Sequence, residues 1–431
     1  MSPRLRTGAL ACALAALGGV VAPAAATAQL PSASTAALGL ADNYTAAARG
    51  YNAIAWNPAN LALSGNPGAS LAFFPLRAIA GLGPVNLGDL KSWGGKAVPI
   101  DVRNSWFERI QSSGHEQGDA GADLTIVALQ VGPVGFQLST TAHGTADLTP
   151  DAARLALFGN APSGQVGSFN LQNSKVNGAA TSTAVLSFAH AFPAGPGAKL
   201  SVGVAGKYTI GHVLAYGQDQ GSSLTANPIV VNLDFPVIST DTSSLFNNGS
   251  GVGLDMGAAY ESGKLTVSGA LQNVFNSFKW DESKLSYRPA TAFFNGDSSS
   301  AGSFEVQPMS RAPASLVSAV TDLKYKPVVL LGGAYRVNPR FVLDADFHQR
   351  MGDGGMQFGP KTQLGAGAEY RVLSFLPLRG GIAYVTGGSQ LAGGVGLDLG
   401  TFSMNASLAH RSDDIGTSTI SMITLISSFP R

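Results

Sequence analysis

The sequence holds a single thiol, Cys12, in 431 residues. Disulfides and cysteine–metal centres are therefore excluded. Charge is also scarce, at 12% of residues, and it is balanced: 27 basic against 26 acidic side chains give a net charge of +1. The basic surplus that nucleic-acid binders use against phosphates is missing, so no nucleic-acid partner is expected. The high charge and low hydropathy of a disordered chain are missing too. The six histidines, His115, His143, His190, His212, His348 and His410, form no HExxH and no close pair, and there is no GxSxG. No enzyme, metal or cofactor is expected on these grounds.

Past the first thirty residues no apolar run is long enough for a membrane helix, which takes about 18 residues. The first thirty read as a secretory leader. Arg4 and Arg6 precede an apolar run from Gly8 to Ala22, and Ala26-Thr27-Ala28 offers small residues for cleavage. The expected divisions are a signal peptide over 1–28, an N-terminal segment over 29–66 and a main body over 67–431. Cys12 lies inside the leader. The short apolar stretch before it argues against a lipoprotein cysteine.

What the chain does have is alternation. Arg340–His348 reads RFVLDADFH, with Phe341, Leu343, Ala345 and Phe347 on one side of an extended strand. Val342, Asp344, Asp346 and His348 take the other side, because strand side chains alternate with a period of 2. The same pattern recurs over 199–211, 251–261, 364–372 and 401–411, and the greasy faces carry almost no charge. Strands are expected near 69–78, 122–131, 134–143, 180–191, 199–211, 251–261, 264–274, 327–337, 340–348, 362–373, 376–386, 389–399, 401–411 and 417–429. Short turns alternate with mostly long connections, as in an all-β transmembrane antiparallel up-and-down barrel of about 14 strands, lipid-facing without and polar within. Both termini then fall on the short-turn, periplasmic side. Counting 228–238 (PIVVNLDFPVI) as a spanning strand breaks that parity, so it belongs in an external loop.

Glycine is abundant, at 54 residues. In GVGLDMG (251–257) and GVGLDLG (394–400) the glycines alternate within strands, which suits bends and matter filling the lumen better than a phosphate loop. Two loop segments look helical. Thr149-Pro150-Asp151 starts one that stops at Gly159. Residues 100–111 set Val102, Trp106 and Ile110 four apart with Phe107 beside them. These loop helices either cap the mouth or present a hydrophobic loop site for a ligand or partner. Tyr208, Tyr260, Tyr335, Tyr370 and Tyr384 are candidates for interfacial aromatic girdles. The chain ends SSFPR, with Pro430-Arg431 after the aromatic Phe429 that an outer-membrane barrel commonly presents last.

Residues 37–63 are too irregular to span. Tyr44-Thr45-Ala46 followed by Trp56-Asn57-Pro58-Ala59 resembles the N-terminal hatch of the FadL/PorV-like outer-membrane proteins, which commonly read NPAGLA; here Asn60 replaces the glycine. The resemblance continues through LFGNAP (157–162), LQNVFNSFKW (271–280), LGAGAEYRV (364–372) and LPLRGGIAY (376–384). It implies a 14-stranded barrel with its leading segment tucked inside as a plug or gate, carrying Tyr44, Thr45, Trp56, Asn57, Pro58 and Ala59. FadL-type members pass fatty acids and other hydrophobic compounds across the outer membrane. PorV-type members hold exported proteins at the cell surface.

Lys207, Asp255, Asp344, Asp346, His348, Glu369, Arg371, Arg379 and Arg411 share polar faces and form a candidate lumen network. Asp344 and Asp346 sit two residues apart, where carboxylates can bind a cation or act as acid and base. Pairing with the inward cations Lys207, Arg371, Arg379 and Arg411 is the preferred reading. The expected role is passive transport of small hydrophobic molecules, fatty-acid-like or aromatic, past the hatch of a monomer embedded in outer-membrane lipid. The alternatives are a surface component that binds a secreted-protein partner, and an architectural barrel.

Overall fold

The structure is a computed structural model that describes residues 34–159, 167–241, 246–295, 302–352, 356, 359–413 and 416–429. The leader, Cys12, the cleavage site and Pro430-Arg431 lie outside these residues.

Fourteen strands close into an antiparallel barrel: β1 (Ala69–Gly83), β2 (Glu116–Val131), β3 (Val134–Leu148), β4 (Lys175–Pro193), β5 (Ala198–Gln218), β6 (Gly249–Ser262), β7 (Leu265–Asn276), β8 (Val328–Asn338), β9 (Phe341–Arg350), β10 (Thr362–Leu373), β11 (Leu376–Val385), β12 (Gly388–Leu399), β13 (Phe402–Asp413) and β14 (Gly416–Phe429). Each pairs with its sequence neighbours, and β1 pairs with β14 from Ala69↔Phe429 to Leu82↔Thr417 to shut the cylinder. Closure removes the free edges that no lipid could satisfy.

The outward faces carry exposed Leu186, Phe188, Val204, Leu343, Leu364, Ile382, Leu391 and Leu408. Tyr208, Tyr335, Tyr370 and Tyr384 are also exposed there. The fold is that of an outer-membrane β-barrel, apolar towards lipid.

All fourteen strands lie where alternation puts them, but several run further at the long-loop end. β5 reaches Gln218 rather than 211, and β2 begins at Glu116 rather than 122. Beyond the lipid band the hydrogen-bond ladder continues without needing a greasy face, so alternation fades before pairing does. One irregularity has a local cause. Between β6 and β7 the register jumps from Leu254↔Phe275 to Met256↔Leu271, with Asn273 at φ +69°. Asn tolerates that left-handed conformation better than most residues.

The short helices are α1 (Thr35–Gly39) and α2 (Ala53–Trp56) in the N-terminal segment, and α3 (Leu87–Ser92), α4 (Ile100–Ser113), α5 (Pro150–Phe158) and α6 (Ala314–Thr321) in long loops. Residues Ile229–Asp234 join Phe169–Asn170, Ser223–Ala226 and Thr291–Phe294 in a small sheet apart from the barrel. Val237–Thr240 pairs with the end of β5 and with Leu285–Arg288. The 228–238 stretch is thus loop structure, outside the spanning set.

Candidate functional site: the filled lumen and its cavity

Residues 34–63 are almost wholly buried, and what buries them is the inward face of the barrel. The wall comes close because it is glycine at the points of contact. A Cβ on Gly203 of β5 would stand 2.4 Å from the Ala59 nitrogen, and one on Gly381 of β11 2.2 Å from the Leu40 carbonyl carbon. On Gly257 of β6 it would meet Asn57 Oδ1 at 1.9 Å, and on Gly135 of β3 Ile54 Cγ1 at 2.6 Å. At Gly203 and Gly381 backbone lies against backbone, as only glycine permits.

Polar groups complete the seating. Asn57 caps the short 3₁₀ turn Pro58–Ala62 by accepting the Ala59 N–H at 3.0 Å, with Pro58 in the first position. Its Nδ2 donates outward to the wall carbonyls of Ala258 at 3.1 Å and Gly269 at 3.2 Å. Asn60, which stands where the resembled motif has glycine, donates to Thr45 O at 2.8 Å and Ala48 O at 3.2 Å. It ties the two halves of the segment together. Ser201 donates to Ala59 O at 2.6 Å, Gln272 to Ala55 O at 2.7 Å and Gln363 to Ala41 O at 2.9 Å. Trp56 meets Tyr44 edge-on at 6.1 Å and the His348 ring at 5.6 Å. Burial, with the Glu369 carboxylate adding to it, pushes the Tyr44 phenol up to about 12.

The nine candidate network residues divide into separate groups. Asp346 faces the N-terminal segment: its Oδ2 accepts the backbone N–H of Tyr44 and of Thr45, each at 2.6 Å, and lies 3.2 Å from His348 Nε2. Asp344 is buried beside it, and its Oδ1 has no hydrogen-bond partner among the described residues. Lys207 pairs with Asp255 at 2.5 Å; Lys207 also bonds Asn273 Oδ1, and Asp255 accepts the Asn273 N–H at 2.6 Å. That trio closes the irregular step in the wall. Glu369 holds Arg379 at 2.8 Å and Arg371 at 3.3 Å, and Arg371 reaches Asp398 at 2.6 Å. Neither Asp344 nor Asp346 makes a salt bridge with Lys207, Arg371, Arg379 or Arg411. Those cations are taken by nearer acids or by Gln390, and Asp346 is taken by backbone N–H groups that strand alternation cannot reveal.

Alternation also gave no sign of Asp42, Arg77, Gln390, Asp123 and His143. Arg77 donates through both terminal nitrogens to Asp42, each at 3.1 Å, and Gln390 Nε2 reaches Asp42 Oδ2 at 3.3 Å. His143 Nε2 stands 2.8 Å from Asp123 Oδ1. The only available signal was a charge at 42 in an otherwise uncharged run and an inward Arg on β1.

These groups border a cavity of about 180 Å³ between the N-terminal segment and the long loops. Its floor is Asp42, Ala55, Trp56, Gln272 and Gln363; its walls hold Arg77, Ile79, Asp123, His143, Val328, Leu330, His348 and Arg411. Tyr325, Arg350, Met356 and Lys361 stand at the loop end. Tyr325 bonds Thr181 Oγ1 at 2.7 Å, and burial holds its phenol well above the usual value, so it stays neutral. Trp106 and Ile110 of the candidate loop site are buried with Val85 and Ala153, Val102 packs on them, and Phe107 meets Phe158 of α5 at 5.8 Å.

A family model described as a family of unknown function, DUF5723, matches residues 83–407. No curated protein matches the sequence. Among solved structures, the toluene transporter TodX of Pseudomonas putida aligns at 13% identity over 92% of this chain and 98% of its own, with a TM-score of 0.54. The toluene transporter TbuX of Ralstonia pickettii aligns at 14% identity over 92% and 98%, with a TM-score of 0.52. A Pseudomonas aeruginosa FadL homologue aligns at 13% identity over 94% and 100%, at 0.49. The likeness to TodX and TbuX at these identities is one of fold.

Proposed function

We propose that this chain, which belongs to the DUF5723 family of unknown function, is a passive outer-membrane channel for small hydrophobic molecules, with residues 34–66 as its hatch. The observation that carries this reading is the cavity. It lies between the long loops and the hatch, with Trp56, Ile79, Val328 and Leu330 as an apolar lining. Pockets for small ligands combine such a lining with a few placed polar groups. TodX and TbuX, of the same fold, are described as toluene transporters. Passage requires residues 34–66 to shift, because they fill the bore below the cavity.

The test is uptake of a radiolabelled aromatic compound by proteoliposomes holding the full chain or a chain lacking 37–63. Faster uptake on deletion supports the hatch. An unchanged profile removes the gate from the mechanism, and no uptake by either protein removes the channel.

A further inference from the structure

Asp344 and Asp346 share the inward face of β9 and are only 4% and 3% exposed. Across from Asp344 on the two flanking strands stand Ala334 and Gly367, and across from Asp346 stand Gly332 and Gly365. None of these four has a side-chain donor. Asp346 commits Oδ2 to the Tyr44 and Thr45 N–H groups and to His348. Its Oδ1 is sealed from solvent and has no partner among the described residues. Asp344 Oδ1 is sealed and unpartnered in the same way, and no described donor reaches its second oxygen.

The charged groups around the pair are engaged elsewhere. Arg49 and Glu369 both act on Asp344 electrostatically. The Arg49 guanidinium, however, donates to Ala46 O at 2.8 Å, Ala48 O at 3.0 Å, Ser64 O at 3.1 Å and Thr266 Oγ1 at 3.4 Å. Glu369 is matched by Arg379 and Arg371. Two like charges buried side by side repel, and a buried carboxylate that meets no donor or cation is costly. Ionisable groups at membrane depth are rare for that reason and mark functional sites. Carboxylate oxygens are ligands of hard cations, and calcium takes them at about 2.3–2.6 Å in irregular shells that water can complete. We infer that Asp344 and Asp346 bind a calcium ion between the β9 wall and the Tyr44-Thr45 turn, through Asp346 Oδ1 and the Asp344 carboxylate. The ion's double charge offsets both acids. Because Asp346 also holds the turn, the ion braces that seat from behind. The inference is independent of the channel reading and applies equally to a sealed barrel.

The experiment uses the full chain in detergent, stripped with a chelator and dialysed against radiolabelled calcium. One ion per chain should bind with a Kd of about 0.1–1 mM, the range of weak extracellular calcium sites. Calcium should also raise the temperature of the heat-induced shift in gel mobility, since it binds the folded chain alone. Asp344→Asn should weaken binding about tenfold or more and abolish that rise. Without calcium, Asp344→Asn should melt higher than the stripped parent, because the repulsion is gone; a merely space-filling role for Asp344 predicts no such reversal. Glu305→Gln, at an exposed loop acid, is the control and should match the parent in both measurements. If Asp344→Asn does not fold, Asp344→Ala removes the same ligand and serves in its place. No bound calcium, or equal binding by the parent and the Asp344 variant, overturns the site. A transition that responds to acid but not to calcium puts a proton where the ion is proposed, and overturns it as well.

Discussion

Asp346 holds Thr45 by its backbone: one carboxylate oxygen accepts the Thr45 N–H at 2.6 Å and the neighbouring Tyr44 N–H at the same distance. Both donors belong to an irregular turn with no strand or helix to satisfy them. A buried N–H without an acceptor is costly, so this one wall residue decides whether the turn can lie where it does. Asp346→Ala removes both bonds at once. The expected loss is about 2–4 kcal/mol of barrel stability, measurable as a lower temperature for the heat-induced shift in gel mobility. An unchanged transition would show that Asp346 does not seat that turn.

The glycine contacts make a graded prediction. Gly257→Ala should destabilise by about 1–3 kcal/mol, because the new methyl overlaps Asn57 Oδ1. Gly380 also lies within a strand but has nothing within 4 Å of its Cβ position. Gly380→Ala should be neutral by the same measurement. Equal effects at the two positions would mean that strand glycines matter only for bending.

Lys207 and Asp255 form a pair with side chains 0% and 3% exposed. Lys207→Met alone, or Asp255→Leu alone, should cost about 3–5 kcal/mol by stranding a buried charge. The double variant should recover most of that loss. A double-mutant cycle in denaturant reads the coupling, and additive losses would refute it.

Asp42 supplies a pH dependence. Burial alone would raise its carboxyl, but the Arg77 guanidinium, with Arg411 and Gln390, outweighs burial and holds it below the ordinary carboxylate value. A lowered folded-state value means the ion pair's stabilisation is fully present above the ordinary range and fades as pH falls through the lowered one. The temperature of the heat-induced gel-mobility shift should therefore drop on this account only in strong acid. Asp42→Asn should remove that acid-induced drop, and a variant with the same profile as the parent would exclude Asp42 as its source.

Strand alternation made the barrel legible. Leu, Val and Tyr facing lipid against Ser, Gly and Asp facing inward locate β5, β6, β9, β10 and β13 without any contact information, since lipid enforces a period of 2. Partners inside the bore were not legible in the same way. Asp42 and Arg77 meet across the gap between an irregular segment and a strand, and Asp346 spends its oxygen on backbone donors that every residue carries. Alternation tells which way a side chain points, not what the leading segment will bring to meet it. Residues 34–63 fill the bore, and their seating depends on glycines scattered from Gly135 to Gly394, which alternation registers only as small.

A wall moulded this closely to the main chain of its own leading segment also constrains biogenesis. Threading residues 34–63 into a finished cylinder would drag side chains such as Trp56 and Leu61 past surfaces with no spare room. Wrapping of the sheet around a segment already in place, with the rungs between the first and last strands formed last, avoids that passage. A nascent chain stripped of that segment would have to close around an empty, water-filled space.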